Sequence, residues 1–240
     1  HGWWDLFIGP GKALDTNRYC IICCNYLGGC YGSSGPASIN PETGKHYGAD
    51  FPPVLSSDVV RSQVALLDHL GIKTLHAVIG SSVGGLLAIN FATLYPDRVR
   101  IVMPVATGLR TTVLTRLTLF EQVLAIENDP HFHGGEYYDG HAPEYGLVLA
   151  RMISHKTFVH LDAIEKRASQ VVSQPEDQLS WYKVGHNVES YMLHQGKKFV
   201  KRFDANSYLR IINMWLRYDP LSDAGVSSYD ELFARSKAAG

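Results

Sequence analysis

A serine flanked by glycines, between a β-branched run and an apolar helical pattern, is the feature that most constrains this chain. The residues Val78-Ile79-Gly80-Ser81-Ser82-Val83-Gly84-Gly85 fit a tight turn from a strand into a helix, where small residues are needed because a nearby Cβ would clash. The helix expected over 83–94 would direct its unpaired N–H groups and positive dipole end at the Ser82 hydroxyl. Ser82 is therefore the candidate nucleophile, and an ordinary turn is the alternative.

Hydrophobic patterns on both sides of this turn predict alternating strands and helices. A strand, helix, strand order with short links is what a parallel sheet with helical crossovers requires. We therefore predict an α/β fold with a parallel sheet. The other predicted elements are a strand over 18–25 that is buried on both faces, a helix from Ser56 or Ser57 to Leu70, and strands over 74–79 and 99–106.

A glycine-rich loop over 27–36, called the glycine loop below, follows the first predicted strand. Loops at the carboxyl end of a buried strand often form binding sites in α/β sheets, because their backbone N–H groups can approach a ligand closely. A plain surface turn is the alternative. The length of the loop and its position after a core strand favour the binding role.

The sequence changes character after Arg110, where helical patterns replace the alternation of strands and helices. Such a block within an α/β core is typical of a lid over a site. We expect a partial core over 1–110 that contains the serine turn, a helical lid over 111–218 and a truncated return to the core over 219–240. The helical patterns cover 113–127, 145–155, 160–172, 188–203 and 206–218.

The balance of charge argues against a polyanionic partner. The chain carries 22 basic and 23 acidic side chains, so no net field attracts nucleic acid or an anionic membrane. No apolar stretch approaches the roughly 20 residues that cross a bilayer. A small, diffusible substrate is the expected partner.

Two groups of potential metal ligands have simpler interpretations. Cys20 and Cys23 have C-x-x-C spacing, but residues three apart on a strand point to opposite faces, which prevents chelation and a short disulfide. Free thiols in a reducing cytoplasm are the favoured interpretation, so we predict a cytoplasmic protein. The histidines of 131–141 lack acidic or cysteine ligands at helical spacing, so we expect a polar loop and no metal site.

A nucleophilic serine needs a histidine that takes its proton and a carboxylate that orients the histidine. Every histidine after Ser82 falls within the helical block or the loop that leads into it, and none follows a late sheet strand. We therefore expect the catalytic Asp and His to lie outside this chain, which would be an internal fragment of a longer protein. These histidines are His131, His133, His141, His155, His160, His186 and His194.

Several motifs in order resemble the homoserine O-acetyltransferases of the α/β-hydrolase superfamily. The resemblance spans nearly the whole chain and is therefore more specific than the serine turn alone. It rests chiefly on Gly9-Pro10-Gly11-Lys12-Ala13-Leu14-Asp15-Thr16, the segment 25–36, Gly135-Glu136-Tyr137, Gly146-Leu147 with Ala150-Arg151, and the segment 195–209.

The resemblance implies an α/β-hydrolase-type core, incomplete at both ends, with an inserted helical lid. It implies that Ser82 attacks the thioester of acetyl-CoA and that the backbone N–H groups of Leu27 and Val83 hold the developing oxyanion. L-homoserine would then take the acetyl group, with its carboxylate bound by Arg151. Methionine biosynthesis, acetyl-CoA as co-substrate without a permanent cofactor, and a homodimer through the lid are further implications.

The sequence departs from the family's usual pattern at Ser82-Val83-Gly84-Gly85-Leu86, at Asn90-Phe91 and at Phe158. These departures bear on the acyl group and the acceptor more than on the class of chemistry. Succinyl transfer and serine as acceptor are near variants. A serine hydrolase or esterase that passes the acyl group to water, and a paralogue that binds a ligand without turnover, are the wider alternatives.

Overall fold

A two-stranded parallel sheet and the helix that connects its strands form the centre of the fold. The computed structural model describes residues 4–169, 179 and 181–238. Strand β1 (Leu75–Ser81) pairs in parallel with β2 (Val99–Val105), in a register that places Leu75 opposite Val99. Helix α2 (Val83–Leu94) makes the crossover. The predicted strand, helix, strand unit is confirmed.

Helices make up most of the remaining regular structure. The helices over 83–94 and 113–127 match the predicted ranges residue for residue, and those over 56–69, 144–158, 187–200 and 205–216 agree with their predicted ranges within a few residues at each end. The part of the predicted helix 160–172 that follows residue 169 lies outside the described residues. The helices other than α2 are α1 (Ser56–His69), α3 (Val113–Glu127), α4 (Glu144–Phe158), α5 (Leu161–Ala168), α6 (Asn187–Val200), α7 (Ala205–Leu216), α8 (Pro220–Ala224) and α9 (Tyr229–Ala234).

Helix α1 begins at Ser56, as predicted, but the serines do not cap it. Ser56 and Ser57 are buried within the first turn, and neither is the N-cap residue. The backbone N–H of Leu55, which precedes the helix, donates instead to Asp58 Oδ2 at 2.9 Å. The acidic residue of the first turn therefore satisfies the helix end, because a carboxylate accepts such a bond well.

The prediction of a buried strand over 18–25 is wrong for this structure. Residues 19–26 have no regular secondary structure, and the four residues 20–23 are exposed. The Tyr19 ring stacks on His76 of β1 at 4.8 Å between centroids, so the segment begins beside the sheet. An apolar run reports that burial is favourable, but a strand also needs a ladder of backbone hydrogen bonds, and no such ladder to 20–25 exists among the described residues.

The burial that the predicted strand would give Cys20, Cys23 and Cys24 is not found, although the thiols are free as expected. All four cysteines are free, but Cys20 and Cys23 are exposed and only Cys24 and Cys30 are partly buried. Burial raises the pKa of Cys24 and of Cys30 above the ordinary value for a thiol. These thiols are therefore held protonated at neutral pH.

The hydrophobic core forms two main clusters. The first packs α1, α2 and the start of β2 around fully buried side chains such as Val59, Val60 and Phe91. The second joins α3, α4 and α6 around Ile126 and Leu147. Met214 of α7 is buried in the first cluster, so the helical segment also packs on the sheet side of the molecule.

A buried polar contact holds the chain that follows α7 against α2. Asn90 Nδ2 donates to Ser56 Oγ at 3.0 Å and to Asp223 Oδ2 at 2.8 Å. The Ser56 hydroxyl also donates to Asp223 Oδ2 at 3.0 Å. These hydrogen bonds fix helix α8 to α1 and α2. The division of the chain into segments over 1–110, 111–218 and 219–240 stays a prediction.

The hairpin of α3 and α4 depends on a close approach of their backbones at Gly146. A Cβ at this position would lie 2.5 Å from the Ala125 carbonyl oxygen and 2.8 Å from Ile126 Cα. Asp129, which is buried, accepts the Gly146 N–H at 2.7 Å and so ties the start of α4 to the end of α3.

In the described part of the chain no helix is long and apolar enough to cross a bilayer.

We expect Gly146→Ala to lower the free energy of unfolding by about 1–3 kcal/mol, because the added methyl group must push the two helix backbones apart. Gly140→Ala is the matched control, since its Cβ would have 3.9 Å to the nearest atom, and it should change stability by less than about 1 kcal/mol. Urea denaturation of both variants measures the difference. Equal midpoints would contradict the close approach.

Candidate active site

Ser82 lies at a strained turn between β1 and α2. Its backbone has φ 54° and ψ −118°, a region that side-chain-bearing residues rarely adopt and that costs about 1–3 kcal/mol. The Ser82 N–H donates to the Val105 carbonyl of β2 at 2.9 Å, and the Ser82 carbonyl accepts the Gly85 N–H at 2.9 Å. The side chain is exposed, so the turn presents the hydroxyl at the carboxyl end of the sheet.

Two of the three glycines next to Ser82 leave no room for a side chain. A Cβ at Gly80 would overlap the Gly84 carbonyl oxygen, and a Cβ at Gly85 would lie 2.6 Å from Thr107 Cγ2. The expectation that small residues make this turn possible is confirmed at these two positions. At Gly84 a Cβ would meet only the Tyr26 hydroxyl at an ordinary 3.6 Å, so this glycine is not required by space.

The two predicted oxyanion residues, Leu27 and Val83, contact the same hydrophobic cluster. Both side chains pack against the first hydrophobic cluster. Among the described residues the backbone N–H of neither residue donates to a protein acceptor. The amide of Val83 is a free donor because it belongs to the first turn of α2. An oxyanion hole is built from available backbone amides, and the assignment of these two amides to one stays a prediction.

The glycine loop is held in shape by its own backbone. The Gly28 N–H donates to the Ser34 carbonyl at 2.8 Å, and the Gly29 N–H donates to the Tyr26 carbonyl at 3.0 Å. Gly28 has φ 85°, which glycine adopts without strain. These bonds fix the residues on the carboxyl side of Leu27 and so orient its amide.

No base for Ser82 is present within the described residues. No histidine or carboxylate there makes a hydrogen bond to the Ser82 hydroxyl. The histidines that follow it have other surroundings, and His155, for example, is buried with Nε2 3.2 Å from the Tyr191 hydroxyl. The expectation that the catalytic Asp and His lie elsewhere stays a prediction.

Arg151 is an arginine held between two aromatic rings. Its guanidinium carbon lies 5.0 Å from the ring centroid of Phe158 and 4.9 Å from that of Phe199. Nε is buried without a hydrogen-bond partner, and burial lowers the pKa of Arg151. No described carboxylate pairs with this charge. The residue as a whole is only partly buried, and a charge that is partly removed from water is stabilised when an anion pairs with it.

Side-chain contacts connect the glycine loop with the helical segment that contains Arg151. The Tyr31 hydroxyl donates to the Arg202 carbonyl, and the Tyr31 ring meets the edge of Phe203 at 6.0 Å. Phe203 in turn stacks on Phe199 at 4.9 Å. The structure thus brings Leu27 and Val83 to one core cluster beside the Ser82 turn, and it connects Arg151 to the glycine loop through a chain of aromatic rings.

The sequence reasoning did not assign the role of Asp204. Its carboxylate caps α7 by accepting the Ser207 N–H at 2.7 Å, and it accepts the Tyr137 hydroxyl at 2.6 Å and the Tyr138 hydroxyl at 3.1 Å. Burial and this carboxylate raise the pKa of both tyrosines well above the ordinary value. An aspartate directly before an apolar helical pattern is a capping signal that could have found it.

The histidines of 131–141 make polar and ring contacts within their own loop. His131 Nδ1 lies 3.5 Å from Asp129 Oδ1, and its ring meets the edge of His141 at 5.7 Å. No group of three or more His, Cys, Asp or Glu side chains in these residues is placed to hold an ion. The loop over 131–141 is therefore described by its polar contacts, such as the bond from the His131 N–H to Asp129 Oδ1 at 2.9 Å.

The strand, nucleophile turn and helix define the class of protein. A model of the α/β hydrolase fold matches residues 1–237. The chain belongs to the α/β hydrolase family. The predicted fold class is confirmed, and the small parallel sheet agrees with a core that is incomplete at its edges.

Comparisons with known proteins narrow the class. Homoserine O-acetyltransferase of Solidesulfovibrio magneticus is 42% identical over 239 residues, covering 98% of this chain and 60% of that protein. Homoserine O-succinyltransferase of Halorhodospira halophila is 46% identical over 225 residues, covering 92% and 58%. The crystal structure of esterase E22 is similar with a TM-score of 0.85 and 31% identity, covering 99% and 66%. The resemblance to homoserine acyltransferases is confirmed, and the chain spans about 60% of the length of these curated relatives.

We expect Ser82→Gly to raise the free energy of unfolding by about 1 kcal/mol, because glycine adopts this backbone conformation without strain. Ser81→Gly is the matched control, since Ser81 ends β1 with ordinary strand pairing and a glycine there should destabilise by about 0.5–1 kcal/mol. Thermal or urea unfolding gives both values. The strain at Ser82 would be refuted if both substitutions lowered stability equally.

Proposed function

We propose that the protein transfers an acetyl group from acetyl-CoA to the hydroxyl of L-homoserine through an acyl-serine intermediate at Ser82. The partly buried guanidinium of Arg151, with no carboxylate paired to it among the described residues and with Nε buried without a hydrogen-bond partner, carries this proposal, because it favours an acceptor with a carboxylate over water. The strained serine with two available amides supports acyl transfer as the reaction class. The names of the relatives support homoserine as the acceptor.

The reaction proceeds in two balanced steps. The Ser82 oxygen bonds to the thioester carbonyl carbon, the carbon–sulfur bond breaks, and the serine proton passes through a general base to the departing sulfur. The homoserine hydroxyl oxygen then bonds to the same carbon, the bond to Ser82 breaks, and the hydroxyl proton returns to Ser82 through the base. The amides of Leu27 and Val83 stabilise the oxyanion in both steps. In this proposal the base is a histidine outside the described residues.

Hydrolysis by the same nucleophile is the second candidate function. It is favoured by the similarity to esterase E22, and it differs from transfer only in the molecule that attacks the acyl-serine. Arg151 distinguishes the two, because it lowers the free energy of a bound carboxylate and gives water no advantage. No permanent cofactor enters either reaction. We place the transfer in methionine biosynthesis, and the free thiols favour a cytoplasmic location.

We also propose a homodimer formed through the lid. One face of α3 exposes apolar side chains at positions three and four apart, and α4 beside it adds two more. A second copy is the occupant that fits, because a two-fold axis places the same stripe on both sides of an interface. The exposed side chains are Val113, Leu117, Phe120 and Leu124 on α3, and Tyr145 and Leu149 on α4.

The full-length protein should release coenzyme A from acetyl-CoA and form O-acetylhomoserine when homoserine is present. Ser82→Ala should abolish both products. Arg151→Met should raise KM for homoserine by roughly 10- to 100-fold, because a charge-assisted pair contributes about 1.5–3 kcal/mol. Hydrolysis of acetyl-CoA in the absence of homoserine is the control and should change little in this variant.

Two results would contradict the transferase assignment. The first is steady turnover of acetyl-CoA that homoserine neither accelerates nor diverts, which would support the hydrolase. The second is an Arg151→Met variant whose KM for homoserine is unchanged. Coupled thiol release and mass spectrometry of the product measure both.

The double substitution Leu117→Glu with Phe120→Glu should convert the dimer into a monomer, because four charges would be buried in the two-fold interface. Leu66→Glu, on the exposed face of α1, is the control and should remain dimeric. Light scattering after size-exclusion chromatography gives the mass. A native protein that is monomeric at micromolar concentration would rule out the proposed interface.

A further inference from the structure

A second arginine shares an aromatic ring with Arg151. The Arg202 guanidinium carbon lies 5.2 Å from the Phe199 centroid, and that of Arg151 lies 4.9 Å from the same centroid. The two side chains come from different places, since Arg151 lies within α4 and Arg202 lies in the turn between α6 and α7. After burial, the charge of Arg202 is among the causes that lower the pKa of Arg151.

Arg202 has no anionic partner among the described residues. No carboxylate there lies within ion-pair distance of its guanidinium. The nearby Asp204 uses its oxygens for the hydroxyls of Tyr137 and Tyr138 and for the N–H of Ser207. The guanidinium is therefore an exposed charge, positioned by a ring and open to a ligand.

Two like charges on one ring repel each other, and an anion at each relieves the repulsion. The proposed function supplies one anion, because the carboxylate of the acceptor pairs with Arg151. Homoserine has a single carboxylate, which leaves Arg202 without a partner in the acceptor. The other substrate, the acyl donor, is the remaining source of an anion in the proposed reaction.

The position of Arg202 fits the acyl donor. Its carbonyl accepts the hydroxyl of Tyr31, and Cys30, which is close enough to feel its charge, lies in the same loop. Leu27, which supplies a proposed oxyanion amide, is only four residues before Tyr31. A donor whose carbonyl occupies the oxyanion hole therefore extends along a loop that ends against Arg202.

We propose that Arg202 binds an anionic group of the acyl donor, either the terminal carboxylate of a dicarboxylic acyl group or a phosphate of the coenzyme A portion. This inference rests on the proposed function. Both groups present paired oxygens to the guanidinium, which binds carboxylate and phosphate in the same bidentate manner. Because Arg202 is exposed, this part of the donor is held at the protein surface.

Binding to the full-length protein in a Ser82→Ala background tests the inference without turnover. The probes are coenzyme A, which carries the phosphates, S-succinylpantetheine, which carries only the carboxylate, and S-acetylpantetheine, which carries neither. Arg202→Met should weaken at least one of the two anionic probes by about fivefold or more and leave S-acetylpantetheine unchanged. A weaker coenzyme A identifies the phosphate, and a weaker S-succinylpantetheine identifies the carboxylate.

Lys201→Met is the matched control, since it removes an exposed neighbouring charge and should affect no probe. The inference is overturned if Arg202→Met binds both anionic probes as the parent does, if it weakens the neutral probe equally, or if the parent binds none of them. These outcomes are separate from the transfer assay, because a protein that binds coenzyme A through Arg202 but forms no O-acetylhomoserine refutes the proposed function alone.

Discussion

The backbone of Ser82 is the constraint on which the proposed site depends. Its positive φ is maintained from two sides, by the hydrogen bond from its N–H to Val105 of β2 and by the contact of Gly80 with the Gly84 carbonyl. Neither contact exists unless β1 and β2 pair in parallel and α2 begins at once after the turn. The sheet, the crossover helix and the exposed hydroxyl are therefore one cooperative unit, and its strain is offset by the packing of α2 between α1 and the sheet.

In the proposed function, the helical segment over 111–218 adds selectivity to the reactivity of Ser82. A serine with two available amides can accept many acyl groups, so the choice of substrates must come from other residues. Arg151 and Arg202 both place positive charge beside the Phe199 ring, and the contacts of Tyr31 join this ring to the glycine loop. The Asp204 cluster, with its two tyrosines of raised pKa, fixes the turn that carries Arg202. The position of the Arg202 charge is thus set by the buried polar contacts of the neighbouring Asp204.

Local patterns predicted the local structure well. The limits of α2 and α3 follow from glycine, capping and apolar periodicity, which act within a few residues. The prediction of a strand over 18–25 is wrong because apolar character indicates only burial. Whether a segment forms a strand depends on a neighbouring strand that can be distant in the sequence. The turn at Ser82 was predictable from its glycines, but Arg151 and the oxyanion pair came from family resemblance. The shared ring of Arg151 and Arg202 joins α4 to the α6–α7 turn, and such a contact is not visible in local sequence.

Trapping the acyl-enzyme tests the central claim most directly. The full-length protein is mixed with acetyl-CoA without acceptor and quenched in acid within one turnover. After digestion, mass spectrometry gives the masses of the peptides. The account predicts one added acetyl group on the peptide that contains Ser82, released again when homoserine is added before the quench. An acetyl group on another residue, or product formed without any label on Ser82, would contradict it.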